Sequence, residues 1–324
     1  MDPSLFLADL EEKPARLRAL AAHLRAADPW AAVGGTSRWV FLGMGSSHYA
    51  GQVAAARLRS RGVDAVAELA GSDLLPRVGA GATVVAASAS GASRETVDAV
   101  RRLRSAGGDA RFVALTNREG TALDDLCDRT VAMRAGEERG GVACRSFQHT
   151  LALLLALSGE REILAADLER AADASEHLLH TRGDWLPALA ESMLGPDGTH
   201  VVAPARRLSS ALQSALMLRE GPRLPAAGCE TADWSHVDVY LTRTTDYRLL
   251  LLAGSRWEDE LLSWVRERGS TLAVVGGDVE GAAVTVRYPH DDVDDVRLLT
   301  ETLVAELMAA HAWAGAEGDV GNPA

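Results

Sequence analysis

Two short segments of this sequence carry hydroxyls and glycines in an arrangement that could hold an anion. The first is Gly43-Met44-Gly45-Ser46-Ser47-His48, directly after the apolar run Trp39 to Leu42. A glycine pair after a strand lets the backbone turn tightly and come close to a ligand. A helix starting there adds N–H groups and the positive end of its dipole. The second is Ser88-Ala89-Ser90-Gly91-Ala92-Ser93-Arg94-Glu95-Thr96, after the run Thr83 to Ala87. Its hydroxyls converge without bulky neighbours, which suits a phosphate monoester better than a base or a metal. Gly45, Ser46, Ser47, Ser88, Ser90, Gly91 and Ser93 are therefore the candidate phosphate ligands. Two alternatives stay open. The serines could be turn and N-cap residues only. The glycine pair, with Glu68 on the next strand, could belong to a dinucleotide fingerprint, although His48 stands where that fingerprint needs a small residue.

Such loops need strands and helices to aim them, and the sequence alternates between the two. Apolar residues at helical spacing (Leu10, Leu17, Leu20, Leu24) predict a lead helix over 5–27. Strand-like runs follow at 39–42, 63–69, 83–87, 111–115 and 130–133, with helices expected near 47–61, 93–105 and 146–157. The rhythm then repeats, with strands at 200–203, 248–253, 271–275 and 283–287. Helices are expected at 209–219 and 257–268, and one long helix over 293–313. Gly254-Ser255 in the second half answers Ser90-Gly91 in the first. This predicts an α/β fold duplicated in tandem, each half a parallel sheet with helices on both faces in three layers. The expected limits are a lead helix over 1–34, a first domain over 35–160, a helical connector over 161–195 and a second domain over 196–324. The last ten residues read as an irregular tail.

Composition removes several function classes. A net charge of −12 argues against a broad nucleic-acid footprint, so an anion must be held by local groups rather than by a basic face. The three cysteines, Cys127, Cys144 and Cys229, are widely spaced with no CxxC, as expected of a reducing compartment without structural disulfides. Acids at Asp2, Asp9, Glu11 and Glu12 argue against a signal peptide, and no apolar run has membrane-spanning length. The expectation is a cytoplasmic protein with no membrane or nucleic-acid partner, no metal and no cofactor.

The loops resemble those of the sugar isomerase (SIS) domain family, as found in the isomerase half of glutamine–fructose-6-phosphate aminotransferases. Gly43 to Ala50 is similar to the first loop of that family, and Ser88 to Gly91 with Ser93 and Thr96 to its SxSGxT phosphate loop. Gly141-Val142-Ala143-Cys144-Arg145-Ser146-Phe147 looks like the third loop, with Arg145 where a lysine is usual, and the resemblance adds Val142 and Ala143 to the substrate-binding set. In the second half, Ala211 to Glu220 resembles the helix that ends in the family's catalytic glutamate, and His236 follows sixteen residues later, where the family has its ring-handling histidine. The resemblance thus implies that Glu220 moves a proton between C1 and C2, that His236 assists ring opening, and that the protein works as a homodimer with the histidine used across the interface.

The departures shape the expected chemistry. No glutaminase segment precedes the SIS-like region, Met217 stands where the family has a lysine, and the Asp319 to Pro323 ending stops before the family's catalytic lysine. The implied reaction is isomerisation of an amino-sugar or ketosamine 6-phosphate, with or without loss of the amine, needing no protein lysine. This is the set used by SIS-type deglycases and amino-sugar-phosphate deaminases. The competing expectation is a non-catalytic SIS protein that binds a sugar phosphate to regulate a partner.

Overall fold

The structure, a computed structural model, describes residues 1–158 and 161–319. Internal contacts divide it into two units. One comprises residues 16–138 and 143–168; the other comprises 1–15, 139–142 and 169–324.

Two helices open the chain, α1 (Pro3–Glu11) and α2 (Lys13–Ala26). The single expected lead helix is broken at Glu12 because Pro14 has no N–H to give the Leu10 carbonyl. Five strands and four helices follow: β1 (Arg38–Gly43), α3 (Ser46–Ser60), β2 (Asp64–Leu69), β3 (Ala82–Ala87), α4 (Arg94–Ser105), β4 (Arg111–Thr116), α5 (Ala122–Leu126), β5 (Arg129–Ala132) and α6 (Arg145–Leu155). The strands form one parallel sheet in the order β2-β1-β3-β4-β5. All six residues of β3 are buried, as expected of a central parallel strand covered on both faces. On one face, Val40, Leu42, Val84, Ala86 and Phe112 pack with Val97, Val100 and Leu103 of α4. Those α4 residues recur at three-residue intervals, the spacing of one helix face.

The second unit contains the long helix α7 (Arg161–Met193, from residue 169), then β6 (Thr199–Ala203), α8 (Leu208–Glu220), β7 (Ala226–Glu230), α9 (Thr231–Trp234), β8 (Arg248–Leu252), α10 (Glu258–Arg268), β9 (Thr271–Val275), β10 (Val284–Val286), α11 (Asp294–Thr300) and α12 (Thr302–Asp319). Its parallel sheet runs β10-β9-β8-β6-β7. Read from the other edge and renumbered from β6, this is the order of the first sheet, so the duplication is real at the level of topology. In both sheets the direction of strand addition reverses between the first and third strands. The crevice outside their carboxyl ends is where open α/β sheets bind ligands. Within this unit α1 packs on α12, with the buried Lys13 ammonium paired to the buried Glu306 carboxylate.

Three further expectations need correction. β7 was not expected, because Ala226-Ala-Gly-Cys-Glu230 has no strand pattern. The long final helix is two, α11 and α12, meeting at Glu301, where the Val304 N–H bonds Glu301 O at 3.3 Å in a tightened turn. The tail expected from Gly315 is helical through Asp319; its remainder lies outside the described residues.

Candidate functional site

In the first unit β1 and β3 pair in register from Arg38↔Ala82 to Leu42↔Ala86. Their following loops therefore leave the sheet side by side, about one strand spacing (~4.8 Å) apart. The first loop needs its glycines. A Cβ on Gly43 would lie 2.7 Å from Ser47 Cβ, and Gly45 takes φ +47°, a region L side chains avoid. Helix α3 opens from Gly45 with no side chain capping its first turn. Ser46 is buried at the start of that turn, and Ser47 is half-buried beside it.

The second loop is held by β4 and the segment after it. Gly91 sits at φ +63°, and a Cβ there would lie 2.2 Å from Thr121 Oγ1, so only glycine fits. Backbone bonds from Asn117 N–H to Ala89 O (3.1 Å) and from Leu123 N–H to Gly91 O (3.1 Å) fix the loop from that side. The serines do make local turn bonds, but long ones. Ser93 N–H reaches Ser88 Oγ at 3.4 Å, Ala92 N–H reaches Ser90 Oγ at 3.2 Å, and the Ser88 and Ser90 oxygens are 3.4 Å apart. Contacts at the outer limit of hydrogen-bond length are readily exchanged for a charged oxygen. Ser93 is the N-cap residue of α4, yet no side chain caps that helix either; its hydroxyl donates to Glu95 Oε2 at 3.2 Å and accepts from Thr96 Oγ1 at 3.2 Å. Two adjacent helix N-termini thus start without side-chain caps, with Ser46, Ser47, Ser88, Ser90 and Ser93 around them, an arrangement whose free N–H and O–H groups could hold an anion.

Beside this seat a cavity of about 440 Å³ lies between Met44, His48, Glu68 and Gly71. Burial pushes the His48 imidazole below its usual pKa, against the opposing pull of the Glu68 carbonyl and charge, which leaves it neutral near pH 7. This large ring at the sixth position of the loop occupies space a dinucleotide-binding turn would keep for helix packing.

The third loop behaves differently. Glu138 Oε1 accepts from the N–H groups of Cys144 (2.7 Å), Arg145 (2.7 Å) and Ser146 (3.0 Å), so the N-terminus of α6 already holds a carboxylate. Val142 is buried and Ala143 half-buried. Arg145 points inward: its guanidinium is fully buried and donates to the Glu137 carbonyl. Glu138 escapes sequence reasoning because its role depends on a loop folding back over six to eight residues. Thr121 could have been found, since Thr121-x-x-Asp124 is a capping-box pattern and forms one.

In the second unit Glu220 is the last residue of α8, exposed at its rim. The surrounding protein still desolvates its carboxyl and raises its pKa above the usual carboxylate value, opposed by the adjacent Arg219. His236 is exposed just after α9, its N–H bonded to Asp233 O at 2.9 Å. The two residues flank opposite ends of β7, which alone spans roughly 13 Å at ~3.3 Å per residue. Among the described residues no hydrogen bond or ion pair joins Glu220 to His236, which lie on either side of β7 in the chain. Met217, in the position of the family lysine, is buried, with Gln213 Nε2 3.5 Å from its sulfur. Among the described residues no His, Cys, Asp and Glu cluster could hold a metal ion, and no helix is long and apolar enough to cross a membrane.

Residues 36–158, which hold both serine loops, match the SIS domain family. The likeness to SIS domains is carried by this segment. It is 28% identical over 318 residues to the glutamine–fructose-6-phosphate aminotransferase (isomerizing) of Aeropyrum pernix, covering 89% of this chain and 48% of that protein. It is 25% identical to the Sulfurisphaera tokodaii protein of the same name, covering 85% and 46%. The chain thus spans about half the length of the curated relatives it matches. Among solved structures it resembles the C-terminal domain of glucosamine-fructose-6-phosphate aminotransferase from Francisella tularensis (TM-score 0.82, 16% identity, 97% of this chain and 96% of that one). It also resembles tagatose-6-phosphate ketose/aldose isomerase from Escherichia coli (TM-score 0.81, 18% identity, 96% and 93%). At these identities the likeness establishes the fold, two tandem α/β domains each built on a parallel five-stranded sheet.

Proposed function

We propose that this chain is a sugar-phosphate isomerase-type enzyme acting on an amino-sugar or ketosamine 6-phosphate, by aldose–ketose isomerisation with or without loss of the amine. The observation that carries this reading is the pair of uncapped helix N-termini lined by five serines at the switch point of the first sheet. Such a seat suits a phosphate monoester. The names of the relatives, which include a ketose/aldose isomerase and a glucosamine-6-phosphate deaminase, support the substrate class.

In this mechanism the first domain, residues 35–160, anchors the phosphate. The second domain, residues 196–324, contributes Glu220 as the base that moves a proton between C1 and C2 through an enediol or enolamine. A carboxylate whose pKa is raised by desolvation is a stronger base than one in water, which suits abstraction of a carbon-bound proton. His236 assists ring opening. Because β7 separates it from its own Glu220, the same reading makes the enzyme a homodimer, cytoplasmic, in which His236 serves the partner.

The test is to incubate the protein with amino-sugar and ketosamine phosphates and follow products by mass spectrometry. Glu220→Gln keeps the shape and removes the base, so kcat should fall roughly 10²–10⁴-fold with little change in substrate binding. Base catalysis needs the ionised carboxylate, so kcat/KM should decline as pH drops through the pKa of Glu220, which desolvation raises from its ordinary value. Wild-type turnover in both Glu220→Gln and His236→Ala would overturn these roles. Tight binding of one sugar phosphate without turnover of any would make the protein a sensor instead.

A further inference from the structure

The first unit has a second concavity, separate from the serine loops. A groove of about 490 Å³ opens where the carboxyl ends of β4 and β5 meet α2. Arg16 and His23, two turns apart on α2, form one wall; Arg118 and Glu119, after β4, form another; Arg134, after β5, closes the third. Arg118 and Arg134 set two guanidiniums against the one carboxylate of Glu119, in a chain of net charge −12. No carboxylate pairs with Arg118 or Arg134 among the described residues.

The groove is built rather than incidental. Arg134 holds φ +60°, a left-handed conformation that non-glycine residues adopt at a cost and that clusters at functional sites. The turn that follows is pinned by the Asn117 side chain, which accepts from Ala135 N–H at 2.9 Å and donates to Gly136 O at 2.6 Å. Gly136, at φ +74°, lies under the Arg16 guanidinium, whose Cζ would be 2.8 Å from any Cβ placed there. Burial, and then the charge of Arg134, hold the His23 imidazole below its ordinary pKa, so the positive charge at neutral pH is that of the arginines.

We propose that this groove is a second anion site, for a phosphate-bearing small molecule held by Arg118 and Arg134. Planar guanidiniums arranged around one concavity match the oxygens of a phosphate group, each able to bond two of them. The Asn117 backbone, bonded to Ala89 O of the phosphate loop while its side chain braces the groove, makes the two sites share a wall.

The proposal does not depend on the isomerase reading, and a background with the serine seat weakened helps keep them apart. In Ser88→Ala/Ser90→Ala protein, calorimetric titration with inorganic phosphate at low salt should still detect one site. Adding Arg118→Ala and Arg134→Gly should weaken it about tenfold or more, as loss of charge-assisted bonds does. Arg134→Gly relieves the left-handed backbone, so the variant should melt no lower than its parent. Arg61→Ala, at the far end of α3, should leave binding unchanged. Equal affinity with and without the two arginines would overturn the proposal. So would an equal loss in Arg61→Ala, which would mean general electrostatics, or a change of oligomeric state in place of phosphate affinity, which would mean that a second copy covers the groove.

Discussion

The two sheets share one topology, yet their switch points treat charge in opposite ways. At the first, α3 and α4 start without side-chain caps and hydroxyls surround the opening. At the second, the chain supplies its own ions. Glu258 Oε1 accepts from Gly254 N–H and, at 2.7 Å, from Ser255 N–H, filling the loop that answers the phosphate loop. Arg207, fully buried, pairs with Glu301 at 3.0 Å and with Asp294, and donates to the Ala253 carbonyl. Arg206 bonds Asp294 and Gly254 O, each at 2.8 Å, and Arg297 bonds Gly276 O at 2.6 Å. The two crevices share their topology, but in the second the Glu258 carboxylate occupies the N–H groups of the loop after β8, while the loops of the first are not filled in this way. Strand order therefore identifies where an anion could bind, and only the loop side chains decide whether one does.

This contrast can be broken at its strongest point first. Arg207→Ala leaves Glu301 buried without its cation, and such a loss costs about 3–5 kcal/mol; thermal unfolding should show a large drop in Tm. A small drop would mean that the network is not what seals the second crevice. Next, Ser88→Ala with Ser90→Ala should weaken sugar-phosphate binding by about 1 kcal/mol for each hydroxyl, while Tm barely moves. The opposite pattern, a lower Tm with binding intact, would make the serines turn-formers only. The smallest effect belongs to Glu258→Ala. It removes a cap-like bond worth about 1 kcal/mol and should uncover an anion seat, so that inorganic phosphate raises the Tm of this variant more than that of the wild type. Identical phosphate responses would show that Glu258 does not stand in for a ligand.

Much of the first domain is legible in its residues alone. The runs ending at Leu42 and Ala87 read as buried strands because a central parallel strand is apolar on both faces. Gly43, Gly45 and Gly91 read as close-approach positions because no other residue tolerates such turns. The serine seat follows from those strands being neighbours, which the order of elements already suggests. What escapes is set by contacts distant in sequence. β7 carries no strand pattern: Gly228 is there because a Cβ would come within 2.8 Å of the Ala211 backbone on α8. That β7 runs between Glu220 and His236 along the chain is likewise not legible from their sixteen-residue spacing. Composition determined that an anion must be held locally, since the chain is acidic overall. Only the tertiary structure decided which helix N-termini stay open, because Glu138 reaches the start of α6 through a loop that folds back over six to eight residues, and a donor filled from within the chain is lost to a ligand.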